Sequence, residues 1–551
     1  CGMKKRLRVL LFALSLGVLA LVLAVRLGQK GTTFLGARLA DAEQLAALQA
    51  GPQVSGEDCI LHWNGAVLPY DSAQGAYCVP QPAGGETRGN LSSSWGDIYL
   101  PAEHWGGDMT AAMREGTLLP VYVSDGSRWC ELFAYVSGMP ALVVKTQESV
   151  PVQRDPEVVG ATMAAQPFAY NYGTVTLFWP EGNQREEVVK SRLEWHWRGN
   201  ASFFAQKKSY RLNLLDGKGR ESTESLLGLG DSDGWILLNL ATDATRVRDK
   251  VALDIWAEMA AAYEFDPPGT TMEYVELYLD DTYLGVYGLC RPVNRKSLAL
   301  SKKDRLYKWR QASMITDEDF TMLEQKESLE WLNRLEVVWP NSWQNGLWEP
   351  LRKYTDTLYT PGSFPADWET IEHTVNLDNL VDMALYKQFT CAVDNLMQNQ
   401  YLLKKNEDGL FYRLPWDLNY TFGDTHEGLF GRDFDILVVP DMELDALYAA
   451  DPGRTKALVA ARWKELRETV LDVEAVTARM QEATRYLEAT GAWRRDYALW
   501  KENEAYRGLS ENRTLPLTET IGFLQRHTRF LDGYMADYTP PSREGFDVLP
   551  Q

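Results

Sequence analysis

Residues Asp394-Asn395-Leu396-Met397-Gln398-Asn399 run directly into Gln400-Tyr401-Leu402-Leu403, and a polar turn then leads to Leu410-Phe411-Tyr412-Arg413-Leu414-Pro415-Trp416-Asp417. Gln400–Leu403 and Leu410–Leu414 read as two short strands of a hairpin. An acid five residues ahead of an amide, then a hairpin ending in a second acid, is an order that phosphoryl transfer uses. That chemistry needs one carboxylate near the acceptor hydroxyl, and an amide and a second carboxylate to hold Mg²⁺ on the phosphates. The Asp-x4-Asn spacing alone is weak in a chain with 76 acidic residues. Asp417 at the end of the hairpin, followed by Thr421-Phe422-Gly423, gives it weight.

Upstream of this stretch the pattern is mostly strands. Tyr172–Phe178 and Lys208–Leu214 alternate polar and apolar residues, and Glu276–Leu279 and Tyr283–Tyr287 flank Asp280-Asp281-Thr282 as a hairpin. Between them, Thr245–Tyr263 carries Val247, Val251, Ile255, Trp256 and Met259 at helical spacing, with Asp243 placed to cap it. From 366 onward the chain is largely helical apart from the hairpin already described. Strands with one helix, then helices, is an α+β, two-lobed pattern. Residues 51–150 have short alternating runs broken by Gly, Pro, Asp and Ser, and read as a small β-rich accessory domain, with Pro151–Pro156 as a linker. Residues 31–50 read as a helical juxtamembrane stalk.

The N-terminus carries its own signal. Lys4, Lys5, Arg6 and Arg8 precede an uncharged run of 17 residues, Val9 to Val25. As a helix it spans about 26 Å, near the lower edge of a bilayer crossing. Arg26-Leu27-Gly28-Gln29-Lys30 is a poor cleavage site, so residues 1–30 are expected to be an uncleaved signal anchor. The rest of the chain would then lie outside the cytoplasm, single-pass at the cell membrane, or be secreted if the segment is cleaved. Export permits disulfides, and Cys59–Cys78 is a plausible bridge, with Cys290 and Cys391 as buried thiols.

Charge and composition narrow the chemistry. The net charge is −20, which argues against a nucleic-acid partner. The six histidines are scattered and no HExxH or CxxC occurs, so a common zinc site is unexpected. Gly230-Asp231-Ser232-Asp233-Gly234 matches GxSxG, but a loop precedes Ser232 and a strand follows it, so a turn is the better reading. The basic residues are clustered. Residues 185–220 hold nine against four acids, and residues 291–310 hold eight against Asp304 alone. Two basic islands in an acidic chain point to a small anionic ligand.

Several ordered motifs resemble the CotH kinase family, over roughly 165–535. They are Arg198-Gly199-Asn200, Lys207-Lys208-Ser209-Tyr210-Arg211-Leu212, Asp243 with Arg248, Tyr283-Leu284-Gly285-Val286-Tyr287, Asp394 with Asn399, and Pro415–Gly423. Arg462–Arg467 and Arg526–Leu531 add to them. The resemblance implies an atypical protein-kinase-like two-lobed fold over 151–540, with 541–551 as a tail. It implies transfer of the ATP γ-phosphate to Ser or Thr of a protein substrate, with Mg²⁺ or Mn²⁺. Carried over, Arg198, Gly199 and Asn200 form the loop over the phosphates, and Lys207, Lys208 and Arg211 contact the nucleotide. Lys208 is the preferred strand lysine because it shares its strand face with Tyr210 and Leu212. Asp394 is the catalytic carboxylate, and Asn399 and Asp417 are metal ligands. The sequence departs from the family at Arg291, where a Glu is usual, and at Asn419, where a second Asp is usual. A catalytically weak or inactive kinase-fold scaffold of the cell surface is the alternative expectation.

Overall fold

A computed structural model of the chain describes residues 34, 36–81, 89–179, 188–199, 201–262, 269–310, 314–358, 367–396, 398–406, 408–424, 436–502 and 514–542. The expected anchor at 1–30, Asn200 and the tail from 543 lie outside the described residues. No helix among the described residues is long and apolar enough to cross a membrane.

Seven strands close into a barrel. In chain order they are β1 (Ala141–Pro151), β2 (Ala169–Phe178), β3 (Val188–Arg198), β4 (Ser209–Leu215), β5 (Gly234–Leu238), β6 (Met272–Leu279) and β7 (Thr282–Cys290). The order around the barrel is β1-β2-β3-β4-β5-β7-β6, antiparallel except where β6 returns parallel to β1. The expected hairpin is β6–β7, and its two-residue turn puts both Asp280 and Asp281 at positive φ (49° and 64°), the backbone that matches strand twist. β1 begins at Ala141, ahead of the boundary expected at 151, and the linker region starts where β1 ends.

The barrel strands are sorted by residue parity. Trp195, Tyr210, Leu212, Leu214, Trp235, Leu237, Tyr287 and Leu289 fill the barrel interior. On β5 and β7 the opposite parity is also apolar: Ile236, Val286 and Cys290 pack against helices in a second, larger core. Both faces of those strands are therefore buried, which is why they read as unbroken hydrophobic runs. On β4 the opposite parity is polar: Ser209, Arg211 and Asn213. That polar face opens toward the remainder of the chain.

Helix α1 (Arg248–Ala260) lies between β5 and β6 in sequence and buries Val251, Ile255, Trp256 and Met259 in the larger core. A five-stranded sheet follows: β8 (Arg305–Trp309), β9 (Glu330–Trp331), β10 (Leu335–Trp339), β11 (Gln400–Lys404) and β12 (Phe411–Pro415), in the order β9-β10-β8-β11-β12. The β11–β12 pair is the hairpin read from the sequence, with Gln400 opposite Pro415. Helices α2 (Leu377–Thr390), α3 (Ala492–Trp500) and α4 (Thr514–Tyr534) are among the helices of this mixed α and β arrangement. Leu385, Phe389, Trp493, Phe523 and Leu531 from these helices join the larger core.

Residues ahead of the barrel form a six-stranded sheet that includes Ala76–Pro80, Asp97–Pro101, Leu119–Ser124 and Trp129–Ser137. Its apolar face packs on Phe178, Tyr278 and Tyr283 of the barrel. The stalk region contributes a strand, Ala37–Ala40, to that sheet and the helix Ala42–Gln49. The Cys59–Cys78 bridge is not made. Both thiols are free and buried; Cys59 lies beside Cys130, and Cys78 faces Tyr135 and Tyr278.

Candidate active site

The hairpin and its lead-in bring three predicted residues to one rim. Asp394 sits on a single 3₁₀ turn, Val393–Asn395, after α2 ends at Cys391 in a left-handed cap. Asn399 Nδ2 donates to Asp394 Oδ2 at 2.7 Å. The Trp416 backbone N–H donates to the Asn399 carbonyl at 2.8 Å, which sets Asp417 next to that pair. The fully buried Asn395 ties the rim together, because its Nδ2 donates to both the Asn399 and Trp416 carbonyls at 2.8 Å. Asn399 and Asp417 both have positive φ, 51° and 63°. Strained backbone at two neighbouring positions persists only when the surroundings impose it, and here Asn395 does so. Tyr420 reports the resulting field. Burial, then Asp424, Asp394 and Asp417, push its phenol up to about 12.

Behind Asp417 stands a carboxylate that sequence reasoning missed. Asp249, near the start of α1, is buried and accepts a hydrogen bond from the Leu418 N–H. Burial first, then the charges of Asp417 and Asp243, push its carboxyl up to about 8. Its neighbour Arg248 is fully buried, pairs with Asp243 and Asp424, and donates to the Thr421 carbonyl. Asp243 also accepts from the Thr245 and Arg248 backbone N–H groups. The expected capping acid therefore acts through Arg248, holding the segment that follows Asp417. Asn419 donates its amide to Thr242 Oγ1 at 2.7 Å, so it ties the same segment to the loop before α1.

The basic residues divide by strand parity. Arg198 and Arg211 stand on the polar outer face, since Arg211 pairs in register with His196 and Arg198 shares His196's parity. Burial, then Arg198, lowers the Arg211 pKa. Arg198 lies over the Trp416 ring, 5.7 Å from its centroid. Arg198 thus stands against the residue that precedes Asp417, and Arg211 stands near Arg198 on the same face. Lys207 and Lys208, the two lysines expected at the nucleotide, make other contacts in the fold. The face that Lys208 shares with Tyr210 and Leu212 is the barrel interior, and its ammonium donates to the Phe203 carbonyl and lies over the Trp197 ring. Lys207 is fully buried and donates to the Val286 carbonyl and to Asp496, both at 2.7 Å. Burial lowers its pKa to about 8, against the pull of Asp496.

Gly199 has φ +99°, and a Cβ there would meet Ser202 Oγ at 1.9 Å, so this turn between β3 and β4 requires glycine. Arg291, where the family usually has Glu, approaches Gly230, where a Cβ would lie 3.1 Å from its guanidinium. Lys308, on β8, lies against the rings of Tyr401 and Trp416. Burial, then the nearby Arg198, pushes its ammonium down to about 7. The serine of the GxSxG match is buried and donates to the Gly234 carbonyl, as a turn residue does.

Among the described residues no group of three or more His, Cys, Asp or Glu side chains could hold a metal by itself. The oxygen-rich rim of Asp417, Asp249 and Asn399 fits a hard divalent cation that takes its remaining ligands from phosphate and water. The crowding of Asp249 against Asp417 is the charge such a cation would relieve.

A polar strand face carrying Arg198 and Arg211, beside a rim of Asp394, Asn399 and Asp417, is an arrangement able to bind a phosphorylated ligand and a proton-donating acceptor together. No curated protein matches the chain. The family model described as CotH kinase protein matches residues 196–514, which include all of these residues and more than half of the sequence, and the chain belongs to the CotH kinase family.

Proposed function

We propose that the chain is an atypical protein kinase that transfers the ATP γ-phosphate to Ser or Thr of surface or envelope proteins. The observation that carries this reading is the convergence of Asp394, Asn399 and Asp417 on one rim, with Arg198 over the adjoining Trp416 ring and Arg211 near Arg198. Asp394 accepts the proton of the acceptor hydroxyl, and the Asn399 amide fixes which way its carboxylate points. Asn399 spends its Nδ2 on Asp394, which leaves its Oδ1 for a cation. Asp417 and Asn399 hold Mg²⁺ or Mn²⁺, with Asp249 behind them. When bound, that ion neutralises charge on the phosphates. Arg198 and Arg211 bind the phosphates, and Gly199 lets the connecting turn approach them closely.

The basic N-terminus and the apolar run Val9–Val25 support attachment to the cell membrane by a single helix, with the kinase region outside the cytoplasm. The net charge of −20 argues against a nucleic-acid partner. Incubation of the protein with γ-labelled ATP, Mg²⁺ or Mn²⁺ and a Ser/Thr-rich acceptor should label the acceptor. Equal labelling by wild type and Asp417→Ala would sink the reading. The use of Asn419's amide on Thr242, where a second acid is usual, favours one other outcome: nucleotide binding without transfer, as in a scaffold that keeps the fold.

A further inference from the structure

Lys308 occupies an unusual position for a lysine. It lies on β8, the central strand of the five-stranded sheet, paired in register with Tyr401 on one side and Glu336 on the other. Its in-register acid is already engaged, because Glu336 pairs with Arg310, which also holds Glu330 at 2.7 Å. Among the described residues the Lys308 ammonium makes no hydrogen bond and no ion pair. It lies instead 5.3 Å from the centroid of the Tyr401 ring and 5.6 Å from that of Trp416.

Arg198 lies 5.7 Å from the same Trp416 centroid, yet it comes from β3 of the barrel. Arg211, also from the barrel, spends its Nε on Asn213 and pairs with no carboxylate among the described residues. Arg198 and Lys308, from two different sheets, therefore meet over the Trp416 ring next to Asp417, with Arg211 beside Arg198, and none of the three makes an ion pair among the described residues. Each raises the electrostatic cost of the others, and a half-buried cation without a partner is expensive. An arrangement of this kind is complementary to a ligand that brings several negative charges with it.

We propose that Lys308 contacts the polyphosphate of the nucleotide from the side opposite Arg198 and Arg211, so that the phosphates are gripped between the barrel and the second sheet. This rests on the kinase reading, and it moves the lysine role from Lys208 to a strand about a hundred residues further along. It also makes nucleotide binding a bridge between the two sheets.

The test is calorimetric titration of the full chain with ATP, ADP and adenosine in the presence of Mg²⁺. Wild type, Lys308→Met, Lys308→Arg and Lys208→Met are compared, with thermal melting as the control for folding. Met fills the stem's volume and removes an uncompensated charge, so Lys308→Met should fold. Lys308→Met is expected to weaken ATP and ADP binding by about tenfold or more while adenosine binding stays unchanged. Lys308→Arg and Lys208→Met should remain within about threefold of wild type. ATP affinity unchanged in Lys308→Met, or adenosine lost together with ATP, overturns the assignment and leaves the kinase reading standing. A wild type that binds no nucleotide overturns both.

Discussion

The Leu418 backbone N–H donates to Asp249 Oδ1 at 3.0 Å, so a carboxylate near the start of α1 holds the residue that follows Asp417. The preceding helix residue, Arg248, donates to the Thr421 carbonyl at 3.0 Å. Two consecutive side chains of one helix therefore grip both ends of the Leu418–Thr421 segment. This explains how Asp417 is kept at φ 63° in a position without glycine.

Asp249→Asn separates the two roles of that carboxylate. The amide oxygen can still accept from Leu418, so the melting temperature should stay close to wild type. Asp249, its carboxyl held up to about 8, can give up its proton in favour of a bound cation and an amide cannot, so the Mg²⁺ or Mn²⁺ concentration giving half-maximal phosphotransfer should rise by about tenfold. An unchanged metal requirement would remove Asp249 from the ion's surroundings.

The hairpin was legible because its strands are short, apolar and bounded by polar turns, and Gln400–Lys404 and Phe411–Pro415 match that reading to within a residue or so. The helix after Asp243 was legible from its 3.6-residue period. The face of β4 was not. Parity correctly grouped Lys208 with Tyr210 and Leu212, but nothing in a single strand says whether its apolar face lines a closed barrel or a cleft. The barrel closes through the β1–β6 pairing, a contact more than a hundred residues apart in sequence. Asp249 was hidden for the same reason, since its partner Leu418 is distant along the chain. A buried acid in the first turn of a helix reads as an ordinary favourable charge at a helix start.

Arg248→Ala should be the most damaging single change near the site. It leaves the buried Asp243 carboxylate without the pairing that outweighs its burial and holds its pKa below the ordinary range. Breaking a buried pair from one side costs about 3–5 kcal/mol. The expected result is a large drop in melting temperature together with loss of phosphotransfer. A variant that melts like wild type would show that the Asp243–Arg248 pair is not what anchors the segment after Asp417.

Gly199→Ala should act on the ligand and not on the fold. The new methyl would sit at 1.9 Å from Ser202 Oγ, and the residue would have to hold φ +99°. The turn between β3 and β4 must then shift, carrying Arg198 with it. ATP affinity is expected to fall by about tenfold, with melting little changed, because the turn lies at the end of the barrel. Equal ATP affinity in the two proteins would show that this turn does not cover the phosphates.

Acid stability depends on Asp496, a fully buried carboxylate on α3. It accepts from Lys207, from Arg246 and from the Val286 N–H. Gly285 makes the approach possible: a Cβ there would fall 2.2 Å from Asp496 Oδ1. The two sequence motifs around Lys207 and Gly285 thus meet at one carboxylate, which fastens the barrel to the C-terminal helices. Burial tends to raise the Asp496 pKa, but Lys207 and Arg246 outweigh it and hold it below the ordinary range. The sign follows from linkage. A depressed folded pKa means that the unfolded chain takes up the proton first as pH falls. The stabilisation is complete above the unfolded value of about 4 and is lost as pH drops from there through the folded value. The wild type should therefore lose melting temperature steeply below about pH 4. Asp496→Asn should melt lower at pH 7, because it strands Lys207 and Arg246, and should show a shallower loss between about pH 5 and 3. Melting curves across that range decide it: parallel acid slopes for the two proteins would assign the acid transition to other carboxylates, Asp441 and Asp243 first among them, since both are held below their ordinary range by buried cations.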